Sequence, residues 1–234
     1  MNLPNAITVG RIAIAPVVAA LAFVPSWTWR LIAFVLFTIA AVTDYWDGHM
    51  ARTRGLVTDL GKMLDPLADK LLLVCTLVAM YVLQAPPTER LAAAAGLGDA
   101  AQFPFVMGVG ASPVTVSLPL VVVVVVLGRE LFMTIFRQIA ARRGVVVAAI
   151  GPAKWKTALQ SVWVGSAFFW FWAATLVRVH AWGDDPLWRA FATFNGIVGT
   201  VTMVGAVVLT FWSLGLYVRR YGAIVFAAPR PSAR

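Results

Sequence analysis

Asp44-Tyr45-Trp46-Asp47-Gly48-His49-Met50-Ala51-Arg52, followed by Gly61-Lys62-Met63-Leu64-Asp65-Pro66-Leu67-Ala68-Asp69, is the stretch on which the reading of this chain turns. Asp44 and Asp47 stand at i,i+3, with Gly48 and Ala51 on the same helical face, and Gly61, Asp65 and Asp69 form an i,i+4,i+8 stripe. The pairs Asp47/Asp65 and Asp44/Asp69 are nearly symmetric about Gly55 and Leu56. An antiparallel helical hairpin turning there sets all four carboxylates at matching depth, facing one another. Gly48, Ala51 and Gly61 have almost no side chain, which leaves room for a ligand between the helices.

Four carboxylates held this close cannot all stay ionised without counter-charge. Two divalent cations neutralise them formally, and oxygen-only ligands suit Mg2+ or Mn2+ rather than zinc or copper. Ion pairing with Arg52, Lys62 and Lys70 is the competing account, but simple pairing does not require mirrored spacing. Paired metals beside a phosphate imply in-line displacement at phosphorus, and one carboxylate could take the proton from an attacking hydroxyl.

The rest of the chain sets this hairpin in a bilayer. Of 234 residues, 61% are hydrophobic and only 12% charged, with a mean hydropathy of +0.84; a water-soluble globule of this length needs far more charge. Apolar runs near the ~20 residues that cross a membrane recur throughout. They predict an all-α integral membrane protein with six spanning helices, at 6–24, 29–52, 60–83, 114–142, 156–179 and 187–219. One membrane domain, 1–234, contains them, with no internal repeat and no linker between soluble units. Val121–Val126 has strand propensity, but its long uncharged setting reads as lipid-facing helix. Two connections, 84–113 and 180–186, are long.

A net charge of +9 could suggest nucleic acid, yet the basic residues cluster at the ends of apolar runs. Six spans with both termini on one side gather every Lys and Arg there except Arg30, Arg90, Arg178 and Arg189. The positive-inside rule makes the crowded side cytoplasmic. Trp27, Trp29, Trp182 and Trp188 fall near the opposite boundary, as an aromatic belt does. The first 25 residues lack a basic leading region and are interrupted by Arg11 and Pro16, so they read as a retained span. Cys75, the single cysteine, is a packing residue, and neither His49 nor His180 is placed for catalysis. An ion or phosphate transporter could also carry intramembrane aspartates, but that class commonly shows inverted repeats.

The spacing Asp44-x2-Asp47-Gly48-x2-Ala51-Arg52-x8-Gly61-x3-Asp65-x3-Asp69 resembles in full the motif of the CDP-alcohol phosphatidyltransferase family. The resemblance implies a six-helix membrane fold, commonly a homodimer, with a site open to the cytoplasm. It implies that Asp44, Asp47, Asp65 and Asp69 bind two metals and that Asp69 is also the proton acceptor. It assigns Gly48, Arg52 and Thr58 to the CDP part of the lipid donor; Thr58 could equally cap the third helix.

Leu3-Pro4-Asn5-x2-Thr8-x2-Arg11, Gly128-Arg129-Glu130-Leu131 with Arg137, Lys154-Trp155-Lys156-Thr157-x2-Gln160 and Phe211-Trp212-Ser213 are similar to the family's bacterial phosphatidylglycerophosphate synthase branch. What this implies is transfer of the phosphatidyl group of CDP-diacylglycerol to sn-glycerol 3-phosphate in the bacterial inner membrane. Cardiolipin synthesis, or transfer to inositol phosphate or serine, is the same chemistry with another acceptor. Within the basic region 129–157, Arg129, Arg137, Lys154 and Lys156 form the cluster that a dianionic acceptor phosphate needs. Glu130, beside Arg129, reads as an intrahelical partner. Arg142, Arg143, Arg219 and Arg220 read as contacts to anionic headgroups.

Overall fold

Long apolar stretches become helices in a bilayer because every backbone N–H and C=O must then be satisfied within its own segment. The computed structural model describes residues 3–53, 59–84, 105–107, 114–116, 118–148 and 151–225. In chain order these form α1 (Leu3–Phe23), α2 (Trp27–Thr53), α3 (Asp59–Gln84), β1 (Phe105–Met107), β2 (Val114–Val116), α4 (Leu120–Arg142), α5 (Gly151–Val179) and α6 (Pro186–Val225). α1, α2, α3, α5 and α6 are each long and apolar enough to cross a membrane. α4 has comparable length, 23 residues, but carries Arg129, Glu130 and Arg137 along it. This is a multi-pass membrane protein, with six helices among the described residues.

The ends of the helices follow local chemistry. Asp185 accepts hydrogen bonds from the backbone N–H groups of Leu187 (2.7 Å) and Trp188 (3.4 Å), an N-cap that starts α6 just before Pro186. α4 ends in a Schellman turn: Val145 N–H reaches the Ala140 carbonyl at 3.0 Å, and Gly144 N–H reaches that of Ala141 at 2.9 Å. Gly144 takes φ +75° there, which only glycine adopts without strain. α5 begins at Gly151, five residues earlier than expected, because Pro152 is tolerated in a first turn. At 40 residues, α6 is about 60 Å long by the usual rise per residue, twice a ~30 Å hydrocarbon core, so it tilts or extends past the bilayer.

One expected boundary is corrected. The fourth helix was expected from residue 114, but Val114–Val116 instead pairs antiparallel with Phe105–Met107, with Val106 opposite Thr115. Pro119 explains the shift, since the residue before a proline is steered away from helical geometry, and α4 starts directly after it. The buried Gln84 side chain, at the end of α3, completes the junction. Its amide donates to the Leu118 carbonyl, and its carbonyl accepts from the Leu118 N–H.

α1 packs on both α2 and α3; α5 packs on α2 and α6, and α4 on α6. Small residues let these helices approach: Ala15, Ala22, Ala33, Ala40, Ala68, Ala79, Ala167 and Ala206 are all buried. A Cβ on Gly205 would stand 2.9 Å from Leu159 Cδ1, which marks the close approach of α6 to α5. Aromatic stacking fills the wider gaps, as in Phe37 on Phe168 and Trp170 on Trp188.

Gln84→Leu removes both partners of a buried backbone group, and an unmet buried donor or acceptor costs about 1–3 kcal/mol. The variant is expected to unfold at lower temperature in detergent micelles while keeping wild-type turnover per folded molecule. An unchanged unfolding temperature would show that the clamp contributes nothing.

Candidate active site

Arg11 lies in the middle of α1, a cation in an otherwise apolar helix, and its side chain is almost completely buried. Such a group is retained in a membrane helix only where negative charge or polar atoms meet it. Here Arg11 Nη1 donates to Asp44 of α2 and, at 3.0 Å, to Asp69 of α3. Arg11 Nη2 stands 4.0 Å from Asp65, whose Oδ1 also accepts a hydrogen bond from Thr8 at 2.8 Å. Thr8 and Arg11 are i,i+3 on α1, so one face of that helix meets carboxylates from two neighbours. The carboxylates themselves are roughly half exposed: 40% for Asp44, 51% for Asp65 and 56% for Asp69.

The arrangement refines the expected hairpin. Asp44, Asp65 and Asp69 are brought together as the spacing predicts, but around a guanidinium from α1. Among the described residues, Arg11 is a counter-ion to Asp44 and Asp69. Asp47, Gly48 and Arg52 stand in the last turns of α2 with side chains outside the described residues, and Thr58 also lies outside them. Among the described residues, no three acidic, histidine or cysteine side chains are disposed as ligands of one metal ion. The donor chemistry nonetheless fits a hard divalent cation, because the oxygens are carboxylate, partly exposed and set around one guanidinium. Arg11 supplies a single positive charge against the three aspartates described. Pro66, between Asp65 and Asp69, cannot donate to the carbonyl one turn earlier in α3.

A cavity of about 160 Å³ opens from this cluster. Arg11, Asp44, Asp69 and Lys70 line one side, Glu130, Lys156, Thr157, Gln160 and Ser161 the other, and Phe37, Ala41 and Val164 are among the apolar residues between. The aspartate cluster and the basic region of α4 and α5 therefore share one space. Within that region, Lys156 is buried and donates to Glu130, and Arg129 Nη1 donates to the same carboxylate oxygen at 2.9 Å. Arg129 Nη2 reaches Ser213 Oγ of α6 at 3.0 Å. Glu130 is thus more than an intrahelical partner: it ties α4 to α5, while Arg129 ties α4 to α6. Of the four basic residues expected to bind the acceptor phosphate, only Lys156 lines the cavity. Lys154 is exposed, and Arg137 lies over the Tyr217 ring, 5.8 Å from its centroid.

Arg11, Thr8 and Gln160 were not singled out as site residues from the sequence. A lone arginine inside an apolar run was the available signal for Arg11; its placement among cytoplasmic-side positive charges masked it.

Comparison with known proteins follows the same lines. A family model described as CDP-alcohol phosphatidyltransferase matches residues 1–212. The chain is 46% identical over 79 residues to the CDP-diacylglycerol–glycerol-3-phosphate 3-phosphatidyltransferase of Rickettsia bellii, covering 34% of this chain and 44% of that relative. It is 32% identical over 224 residues to CDP-diacylglycerol–glycerol-3-phosphate 3-phosphatidyltransferase 2 of Arabidopsis thaliana, covering 94% of this chain and 79% of the relative. It is also 30% identical over 230 residues to the cardiolipin synthase (CMP-forming) of Oryza sativa, covering 96% and 59%.

Arg11→Met leaves three carboxylates without their shared partner. Hydrogen bonds to charged groups contribute about 1.5–3 kcal/mol each, so the variant is expected to unfold several degrees below wild type in metal-free detergent. Added Mg2+ narrows that gap. A gap of equal size with and without Mg2+ would contradict the reading of one shared site for cation and guanidinium.

Proposed function

The chain belongs to the CDP-alcohol phosphatidyltransferase family, and from that premise we propose that it transfers the phosphatidyl group of CDP-diacylglycerol to sn-glycerol 3-phosphate. The products are phosphatidylglycerophosphate and CMP. The observation that carries this reading is the single cavity shared by Asp69 and Lys156. It offers a proton acceptor for a hydroxyl and an ammonium for a phosphate within the reach of one small acceptor. The names of the Rickettsia and Arabidopsis relatives point to the same acceptor.

In this scheme Asp69 takes the proton from the terminal hydroxyl of the acceptor as its oxygen bonds to the phosphorus that carries diacylglycerol. The bond from that phosphorus to the bridging oxygen breaks, and CMP leaves with the electron pair. Asp44, Asp47, Asp65 and Asp69 hold two divalent cations, Mg2+ or Mn2+, whose chemistry when bound is neutralisation of the pyrophosphate and of the leaving oxygen. Gly48 allows close approach of the CDP group, Arg52 offers a forked cation for its phosphate, and Thr58 a hydroxyl. Lys156 receives the acceptor phosphate. Arg129, Arg137 and Lys154 add positive potential from outside the cavity wall, Arg129 by offsetting the charge of the Glu130 carboxylate.

The whole chain, 1–234, acts as one membrane domain in the bacterial inner membrane. Its catalytic face is cytoplasmic, where the basic residues lie and the charged acceptor is found. A homodimer completes the assembly. A cardiolipin synthase reading is favoured by the rice relative's name, but phosphatidylglycerol as acceptor would need space for two acyl chains beside the cavity.

The test is a purified-enzyme assay with labelled CDP-diacylglycerol, Mg2+ and a panel of acceptors. Glycerol 3-phosphate is expected to give phosphatidylglycerophosphate and stoichiometric CMP, with activity abolished by EDTA. Product from phosphatidylglycerol alone would transfer the assignment to cardiolipin synthesis. Asp69→Asn is expected to retain donor binding and lose turnover by about 10²–10⁴-fold, the usual contribution of a general base. Near-normal turnover would remove Asp69 from that role.

A further inference from the structure

One polar group on the cavity wall has no part in the scheme above. Gln160 lies on α5 one turn beyond Lys156, on the same face, and is 6% exposed. It lines the cavity, and its Nε2 has no hydrogen-bond partner among the described residues. Lys156 and Glu130, across the same wall, are already paired with each other. A buried amide N–H left without an acceptor is unfavourable, and native structures keep few of them; one that lines a cavity is open to an acceptor atom entering that cavity.

We propose that Gln160 is a specificity-determining residue, whose Nε2 donates a hydrogen bond to the acceptor's internal hydroxyl oxygen. The proposal rests on the glycerol 3-phosphate reading and adds to it the selection of a vicinal diol phosphate. Such an acceptor presents three polar groups: a phosphate, a terminal hydroxyl that attacks, and a hydroxyl between them. The phosphate is met by Lys156 and the attacking hydroxyl by Asp69. Only the middle group lacks a partner, and one helical turn, about 5.4 Å, separates the levels of Lys156 and Gln160. That step is comparable with the length of a three-carbon backbone. A neutral amide suits the task. It donates to a hydroxyl without drawing the dianionic phosphate away from the ammonium.

The experiment compares two acceptors in one enzyme preparation. Glycerol 3-phosphate and 3-hydroxypropyl phosphate differ only in the internal hydroxyl. Their kcat/KM values are measured with CDP-diacylglycerol in mixed micelles for wild type, Gln160→Met and Gln160→Asn. Any inactive fraction cancels in the ratio. Wild type is expected to favour glycerol 3-phosphate by roughly tenfold, the effect of one neutral hydrogen bond. Gln160→Met brings the ratio close to one, through slower use of glycerol 3-phosphate, and Gln160→Asn falls between. A wild-type enzyme that does not discriminate would overturn the proposal. So would a Gln160→Met ratio equal to wild type, including the case in which both acceptors weaken together because the amide meets the phosphate. If wild type uses neither acceptor but does use phosphatidylglycerol, the glycerol 3-phosphate reading itself fails and takes this proposal with it. That result is absence of product, distinct from an unchanged ratio.

Discussion

A guanidinium inside an apolar helix is stable only where its donors are met, and in this chain Arg11 is met by carboxylates from two other helices. That requirement sets the register of α1 against α2 and α3, since a shift by one residue would turn Arg11 and Thr8 away from Asp44, Asp65 and Asp69. It also explains why α1 lies between α2 and α3. Without hydrophobic driving force between helices in lipid, close packing of small residues and polar contacts decide who touches whom. Both are present here: Ala15, Ala22 and Ala68 pack tightly, and the Arg11 cluster supplies the polar contact.

The second polar cluster is built by the same logic from other helices. Glu130 holds Arg129 and Lys156, and Arg129 reaches Ser213, so α4, α5 and α6 share one buried network. The two clusters face each other across a cavity of about 160 Å³. One has excess negative charge, suited to a divalent cation and a proton; the other has excess positive charge, suited to a phosphate. A reaction that brings a small phosphorylated alcohol to an activated lipid pyrophosphate uses both. The fold thus gathers opposite charges on opposite walls, and keeps each buried member paired until substrate arrives.

Much of this was legible in the residues. Hydropathy gave six helices, five of them matching the expected spans within a few residues at most ends, and the i,i+3 and i,i+4 spacing anticipated that Asp44, Asp65 and Asp69 converge. The start of α4 was misplaced because hydropathy does not distinguish Val114–Val116 from the helix that follows; Pro119 was the local mark. The part of Arg11 was missed for a different reason. Its partners are 33 and 58 residues away, and periodicity within one helix carries no information about which helix will face it. Arg129, Arg137 and Lys154 show the converse. A cluster of basic residues in sequence predicted a phosphate site, yet side-chain direction in the helices left only Lys156 on the cavity.

The central claim is that carboxylates from α2 and α3 converge at one point beside α1 to hold divalent cations next to the lipid pyrophosphate. Anomalous diffraction from crystals grown with Mn2+ and CDP-diacylglycerol tests it most directly. The account predicts Mn2+ density within coordination distance, about 2.0–2.2 Å, of oxygens from Asp44, Asp65 and Asp69, in contact with the donor phosphates. Mn2+ density elsewhere, with these three side chains still closed on Arg11 while the donor is bound, would contradict it.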